Sequence, residues 1–184
     1  MKILFKVFFL SILLAFITSP AYAQPEADQS ARLLTLEVYD YTTVRMAKKK
    51  IAINSLLKKY NSPLVSSIDS FLNTCTSYSL DCYLLPSIAG LESSFGKHVL
   101  PGSNNPFGWG GGLIIFDSWD QAIAAVGKGL KYNYIDRGAN SVEKIAPIYA
   151  ESKTWAPRVR KFMDGFMEEE RKMDAIFTQN EVNL

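Results

Sequence analysis

A carboxylate at the end of an apolar run is placed to deliver a proton, and Glu92 is such a residue. It stands in Leu91-Glu92-Ser93-Ser94-Phe95-Gly96, and the preceding stretch Leu84 to Leu91 is apolar or small except for Ser87. That stretch reads as a buried helix with Gly96 just past its last turn, which puts Glu92 at the helix C-terminus. Apolar surroundings and the negative end of the helix dipole both work against a bare carboxylate there, and a general acid has to carry its proton. A polar, glycine-rich stretch follows, Asn104-Asn105-Pro106-Phe107-Gly108-Trp109-Gly110, along which a chain-like substrate could lie. Cleavage of a sugar polymer suits this arrangement, because a glycosidic bond breaks when its leaving oxygen is protonated.

Other groups could share the work. Many glycosidases add a second carboxylate on a loop, and between Gly96 and Ser118 the chain offers Asp117 alone. Asp117 is a candidate catalytic residue, or it favours the N-terminus of the helix that follows. Ser93 either orients a sugar or caps locally. Asn104 and Asn105 either hydrogen-bond N-acetyl and hydroxyl groups or shape the loop, since Asn tolerates unusual backbone angles. Phe107 and Trp109 are candidate stacking surfaces for sugars, with core packing the alternative for Phe107. Trp155 either rims the cleft or anchors the last helix. His98 reads as a lone surface histidine. A Ser-His-Asp hydrolase is disfavoured by the lack of a G-x-S-x-G elbow. No metal or other cofactor is expected, because the chain has one His and no close ligand cluster.

Three motifs in order carry a resemblance. Glu-Ser-Ser-Phe-Gly at 92–96, Asn-Asn-Pro-Phe-Gly-Trp-Gly at 104–110, and Phe116-Asp117-Ser118-Trp119-Asp120-Gln121-Ala122-Ile123 together resemble the glucosaminidase-like branch of the lysozyme superfamily. This is the mannosyl-glycoprotein endo-β-N-acetylglucosaminidase-like domain of bacterial autolysins, and the likeness covers about residues 60–170. Lytic transglycosylases and goose-type lysozymes share the Glu-Ser element but continue with a G-L-M-Q-like turn that this chain lacks. The resemblance implies a mainly α, lysozyme-like helical domain with one short β-hairpin beside an active-site cleft, with Glu92 as the acid. It also implies a cleft tyrosine, for which Tyr134 and Tyr149 are the candidates, each with a core role as the alternative. In related glucosaminidases a larger β-lobe supplies the second acid, and here that lobe is much reduced.

The elements that must hold these residues follow from spacing. A helix is predicted over Val44–Tyr60, broken by Asn61-Ser62-Pro63, and a second over about Leu64–Tyr78. The helix bearing Glu92 spans about Cys82–Ser94, with Pro86 tolerated in its first turn. Lys97–Asp117 holds five of the eleven glycines and reads as a loop plus a hairpin turning at Gly111-Gly112, with Leu113–Phe116 as its second strand. Ser118-x-x-Gln121 has the form of a capping box. The helix it opens carries Ile123, Val126, Leu130 and Tyr134 on one face. Asn140 or Ser141 caps a short helix through Tyr149, and a last helix begins near Pro157.

Across the 184 residues, the organisation expected is a signal peptide (1–23), an N-terminal segment or linker (24–43), the lysozyme-like domain (44–176) and a C-terminal tail (177–184). Lys2, Lys6, the apolar Val7–Thr18 and the Ala21-Tyr22-Ala23 site carry the first of these. The apolar run is short for a membrane span, so no lasting anchor is expected after cleavage. Without Lys2 and Lys6, 18 basic residues face 18 acidic ones. That balance, with no basic stripe, disfavours nucleic acid as a partner. Cys75 and Cys82 are the two cysteines. In an exported chain they favour a disulfide, with two buried thiols as the alternative.

The sequence thus points to a secreted or periplasmic hydrolase of peptidoglycan glycan strands, cutting a β-1,4 bond between N-acetylated amino sugars. Two alternatives remain open, a lytic transglycosylase and a non-catalytic glycan-binding module. A protein partner could dock through residues 24–60.

Overall fold

The computed structural model describes residues 26–181, so the expected signal peptide and its cleavage site lie outside the described residues. The chain divides into two units, one ending at Tyr41 and one running from Thr42. Six α-helices account for the described secondary structure, with two short 3-10 turns and no strand among the described residues. They are α1 (Glu26–Lys59), α2 (Ile68–Tyr78), α3 (Leu84–Ser93), α4 (Trp119–Asn133), α5 (Val142–Tyr149) and α6 (Trp155–Glu181). Residues 26–41, within the expected N-terminal segment or linker, are helical, and α6 runs five residues past the expected domain end at 176. None of these helices is long and apolar enough to cross a membrane.

The second unit is built from stripes at the 3.6-residue period. Ile68, Phe71, Leu72 and Cys75 on α2 are buried, as are Ile123, Val126 and Leu130 on α4 and Val159, Met163 and Phe166 on α6. The α2 set recurs at i, i+3, i+4 and i+7, the α4 set at i, i+3 and i+7, and the α6 set at i, i+4 and i+7, all spacings of one helix face. On α1 the buried face is Ala52, Ile53, Leu56 and Leu57, while Ile51 points out. Helix α3 has no polar stripe at all, and every residue from Leu84 to Gly90 is buried. A helix apolar all round belongs inside a bundle, and α3 packs along α6 at the centre of the fold. Ser87 is the exception in its chemistry, with a buried hydroxyl that has no protein partner.

Helices α2 and α4 touch along their length, and Gly127 makes this possible. A methyl group there would overlap Thr74 Cγ2 and come 3.2 Å from Leu85. Gly127→Ala is therefore expected to destabilise the fold by about 1–3 kcal/mol, despite the better helix propensity of alanine. Chemical denaturation of the two proteins checks this.

Two boundaries differ from the sequence expectation for local reasons. Residues 63–67 form a 3-10 turn before α2, capped by the Ser62 hydroxyl accepting from Leu64 N at 3.0 Å. The last helix begins at Trp155, two residues before Pro157, which still lies in the first turn where its missing N–H costs nothing. Ser141 rather than Asn140 caps α5, accepting from Lys144 N. Pro86 is the third residue of α3 and sits in its first turn as expected.

The expected β-hairpin does not form. Gly108, Gly110, Gly111 and Gly112 all adopt positive φ, so the chain coils, with Gly112 N bonded to Gly108 O at 2.9 Å. Residues 114–116 are held by side chains instead of a ladder. Asn105 Nδ2 donates to Ile114 O at 3.1 Å and Asn104 Nδ2 to Phe116 O at 2.9 Å, beside one backbone bond from Phe116 N to Ser103 O.

Cys75 and Cys82 form a disulfide, their Cα atoms 4.9 Å apart. It joins the last turn of α2 to the residues entering α3. Closing a loop of about eight residues constrains the unfolded chain by about 2–3 kcal/mol in the chain-entropy picture. Reduction is expected to lower the stability by that amount, read as a shift in the denaturation midpoint with and without reductant.

Candidate functional site

Glu92 is the penultimate residue of α3. The helix ends there because Ser94 turns left-handed (φ 51°), followed by Phe95 (φ 61°) and Gly96 (φ 84°). Two non-glycine residues in this region are strained, and the surroundings must over-determine them. Phe95 is fully buried between Tyr60 and Phe162, at 4.7 and 5.2 Å between ring centres. The Phe95 carbonyl accepts from Ser62 Oγ at 2.8 Å. Gly96 faces Leu64 so closely that a β-carbon would approach to 3.2 Å.

The turn leaves Glu92 exposed rather than enclosed in apolar side chains. The apolar enclosure expected from the sequence is not formed. One carboxylate oxygen, Oε1, accepts from Trp155 Nε1 at 2.7 Å. The other, Oε2, faces Gly108, where a β-carbon would stand 3.4 Å away. A bare glycine therefore keeps this edge of the carboxylate open.

The loop carrying Gly108 is pinned from three directions. Ser93 Oγ shares its proton between Pro106 O (2.8 Å) and Ala89 O (3.0 Å) and accepts from Gly96 N at 2.8 Å. Tyr149 donates its hydroxyl to Phe107 O at 2.7 Å. Asn105 Oδ1 accepts from Trp109 N at 3.0 Å, and its Nδ2 donates to Trp109 O at 2.9 Å. Ser93 and Asn105 are buried, so both fix the loop against Glu92 instead of presenting polar atoms to a ligand. Asn104 (φ 48°) is tied to Phe116 O. Phe107 is fully buried and offers no ring face to a sugar, which corrects its expected role as a stacking surface.

The remaining aromatics form a strip. Trp109, Tyr134, Tyr149 and Trp155 lie with ring centres 6.1 Å (Trp109–Tyr134), 5.8 Å (Trp109–Tyr149) and 4.9 Å (Tyr149–Trp155) apart. Trp109 fits against Gly129 of α4, where a β-carbon would come 2.7 Å from its ring. Burial, then the negative charge of Glu92, push the Tyr149 hydroxyl well above its ordinary pKa, so it stays protonated as a donor. Burial also raises Tyr134. Trp109, Tyr134 and Tyr149 are half-buried and keep part of their surface available.

Asp117 is placed differently. Its Oδ2 accepts from Gln121 Nε2 at 3.0 Å and its backbone N donates to Gln121 Oε1 at 2.7 Å, while Ser118 Oγ accepts from Gln121 N at 3.1 Å. The three residues form the start of α4, with the reciprocal bond of the capping box shifted to Asp117. His98 is exposed, its backbone N bonded to Ser93 O.

Sequence reasoning missed two contacts of the acid. Trp155, 63 residues away, carries no local signal of pairing with Glu92. Gly108 lies within the motif at 104–110, and its lack of a side chain is the available signal. No protein-family model and no curated protein matches this sequence.

Trp155→Phe would keep a ring beside Tyr149 and remove the N–H on Glu92. A hydrogen bond to a charged group is worth about 1.5–3 kcal/mol, so a loss of roughly 10- to 100-fold in turnover is expected if Glu92 is the acting group. Comparing kcat and melting temperature of the two proteins separates this from misfolding.

Proposed function

We propose that the protein is an exported hydrolase of peptidoglycan, cutting a β-1,4 bond between N-acetylated amino sugars, with Glu92 as the general acid of a lysozyme-like domain. The observation that carries this reading is the setting of Glu92. It is an exposed carboxylate at the end of a buried helix, held through Oε1 by Trp155 and left open at Oε2 by Gly108. With Oε1 occupied as an acceptor, Oε2 is the atom to carry the proton to the leaving oxygen. The half-buried Trp109, Tyr134 and Tyr149 beside it offer aromatic faces for sugar rings to stack on, and the buried Trp155 backs them. The disulfide between Cys75 and Cys82 suits an oxidising compartment outside the cytosol.

The engagement of Asp117 with Gln121 favours routes that need one protein carboxylate. In one, the N-acetyl oxygen of the substrate attacks the anomeric carbon as Glu92 protonates the leaving oxygen, and water then opens the cyclic intermediate. In the other, the sugar's own 6-hydroxyl attacks and leaves a 1,6-anhydro end, the lytic transglycosylase outcome. Digestion of purified peptidoglycan by the mature protein, followed by borohydride reduction and mass spectrometry, distinguishes them. Reduced N-acetylglucosamine ends are expected. Reduced muramic ends would make it a muramidase and anhydro ends a transglycosylase. Wall binding with no fragments released would leave a glycan-binding module.

A further inference from the structure

On the α1–α6 side of the second unit, two helical stripes converge on a cavity of about 440 Å³. From α1 and the residue after it come Leu56, Lys59 and Tyr60; from α6 come Arg158, Lys161, Phe162 and Gly165. Both sets follow the i, i+3, i+4 spacing of one helix face, so the two faces look at each other across the cavity. Its lining holds three cationic side chains and no carboxylate. Among the described residues none of the three is in an ion pair, and they are gathered in one lining. The nearby Glu169, which feels the charge of Lys59, is itself held by Ser55 and by Lys172 at 2.7 Å.

Like charges gathered in a lining with no carboxylate repel one another, and the arrangement is relieved when an anion enters. Arg158 offers a planar fork of donors and the two lysines mobile point charges, a combination suited to a phosphate with several oxygens. Tyr60 and Phe162, their rings 6.1 Å apart, add an aromatic wall. The geometry points to a binding site for a phosphate ester, with the phosphate between Lys59, Arg158 and Lys161 and the organic body of the ligand on Tyr60 and Phe162. This inference does not depend on the glycan-cleaving reading; Tyr60 and Phe162 also pack on Phe95 behind the Glu92 turn, but the three cations take no part in that site.

Titration calorimetry with glucose 1-phosphate, unphosphorylated glucose and inorganic phosphate tests it on the full mature protein. Sedimentation with phosphatidylglycerol or phosphatidylcholine vesicles covers a lipid source of the same group. The double variant Arg158→Gln/Lys161→Gln is expected to weaken phosphate-ester binding about 10-fold or more. The charge-matched Lys128→Gln/Lys153→Gln, at exposed positions elsewhere, should leave it within about twofold. Binding should also fall as ionic strength rises. Capture by phosphatidylglycerol vesicles alone, lost in the pocket variant, would assign the phosphate to a lipid headgroup. Equal binding of glucose and glucose 1-phosphate, equal weakening by both double variants, or no binding in either arm would overturn the proposal.

Discussion

Glu92→Gln is expected to reduce glycan cleavage by about 10²–10⁴-fold, the usual contribution of a positioned general acid. The substitution keeps the size of the side chain and leaves an oxygen for the Trp155 N–H, so α3 and its turn should be undisturbed. What it removes is the transferable proton. The exposed position of Glu92 makes this a clean test, because a surface Glu→Gln change away from functional sites alters stability by no more than about 0.5 kcal/mol. A melting temperature near that of the wild type together with lost turnover is the expected pair of results. Comparable turnover in the two proteins, measured as soluble fragments released per minute, would remove Glu92 from the chemistry.

The second large effect concerns the turn that ends α3. Phe95→Ala should destabilise the domain by about 3–5 kcal/mol, the range for deleting a buried aromatic ring. For a domain of this size that corresponds to a fall in melting temperature of about 6–20 °C. The left-handed backbone adds a sharper expectation. Phe95 has φ 61°, a conformation in which alanine keeps its β-carbon clash and glycine has none. Phe95→Gly should therefore be more stable than Phe95→Ala by about 1 kcal/mol, the reverse of the order at ordinary helical positions. An alanine variant at least as stable as the glycine one would show that the turn relaxes when the ring is removed.

Much of the helical framework was legible because it depends on local periodicity. Ile68-Phe71-Leu72-Cys75 and Ile123-Val126-Leu130 state their buried faces through spacing alone, and Ser118 announces the start of α4 by its capping form. The apolar run before Glu92 likewise gave the position of α3 to within two residues at its start. The loop after it was not legible in the same way. Four glycines at positive φ curl a segment whose Leu113-Ile114-Ile115 reads as strand, and two asparagine side chains supply bonds that a ladder would have supplied. β-propensity reflects a half-buried pleated surface, and here Leu113 and Ile115 are 78% and 70% exposed with no sheet to join among the described residues.

The site itself was legible in its parts but not in its arrangement. Tyr149 and Trp109 are candidates by residue type, yet the hydroxyl of Tyr149 serves the Phe107 carbonyl. Phe107, beside Gly108 in sequence, turns into the core while Gly108 faces the acid. Such choices are made by tertiary packing between α3, α5 and α6, and residue type alone carries no record of them.

The most direct test of the central claim is a parallel digest of insoluble peptidoglycan by the mature protein and by Glu92→Gln, with wall binding measured on the same samples. Fragments released by the wild type only, with both proteins bound equally to the wall, is the predicted result. Equal release by both proteins, or binding by both with no release by either, would contradict Glu92 as the acid of a glycan-cleaving enzyme.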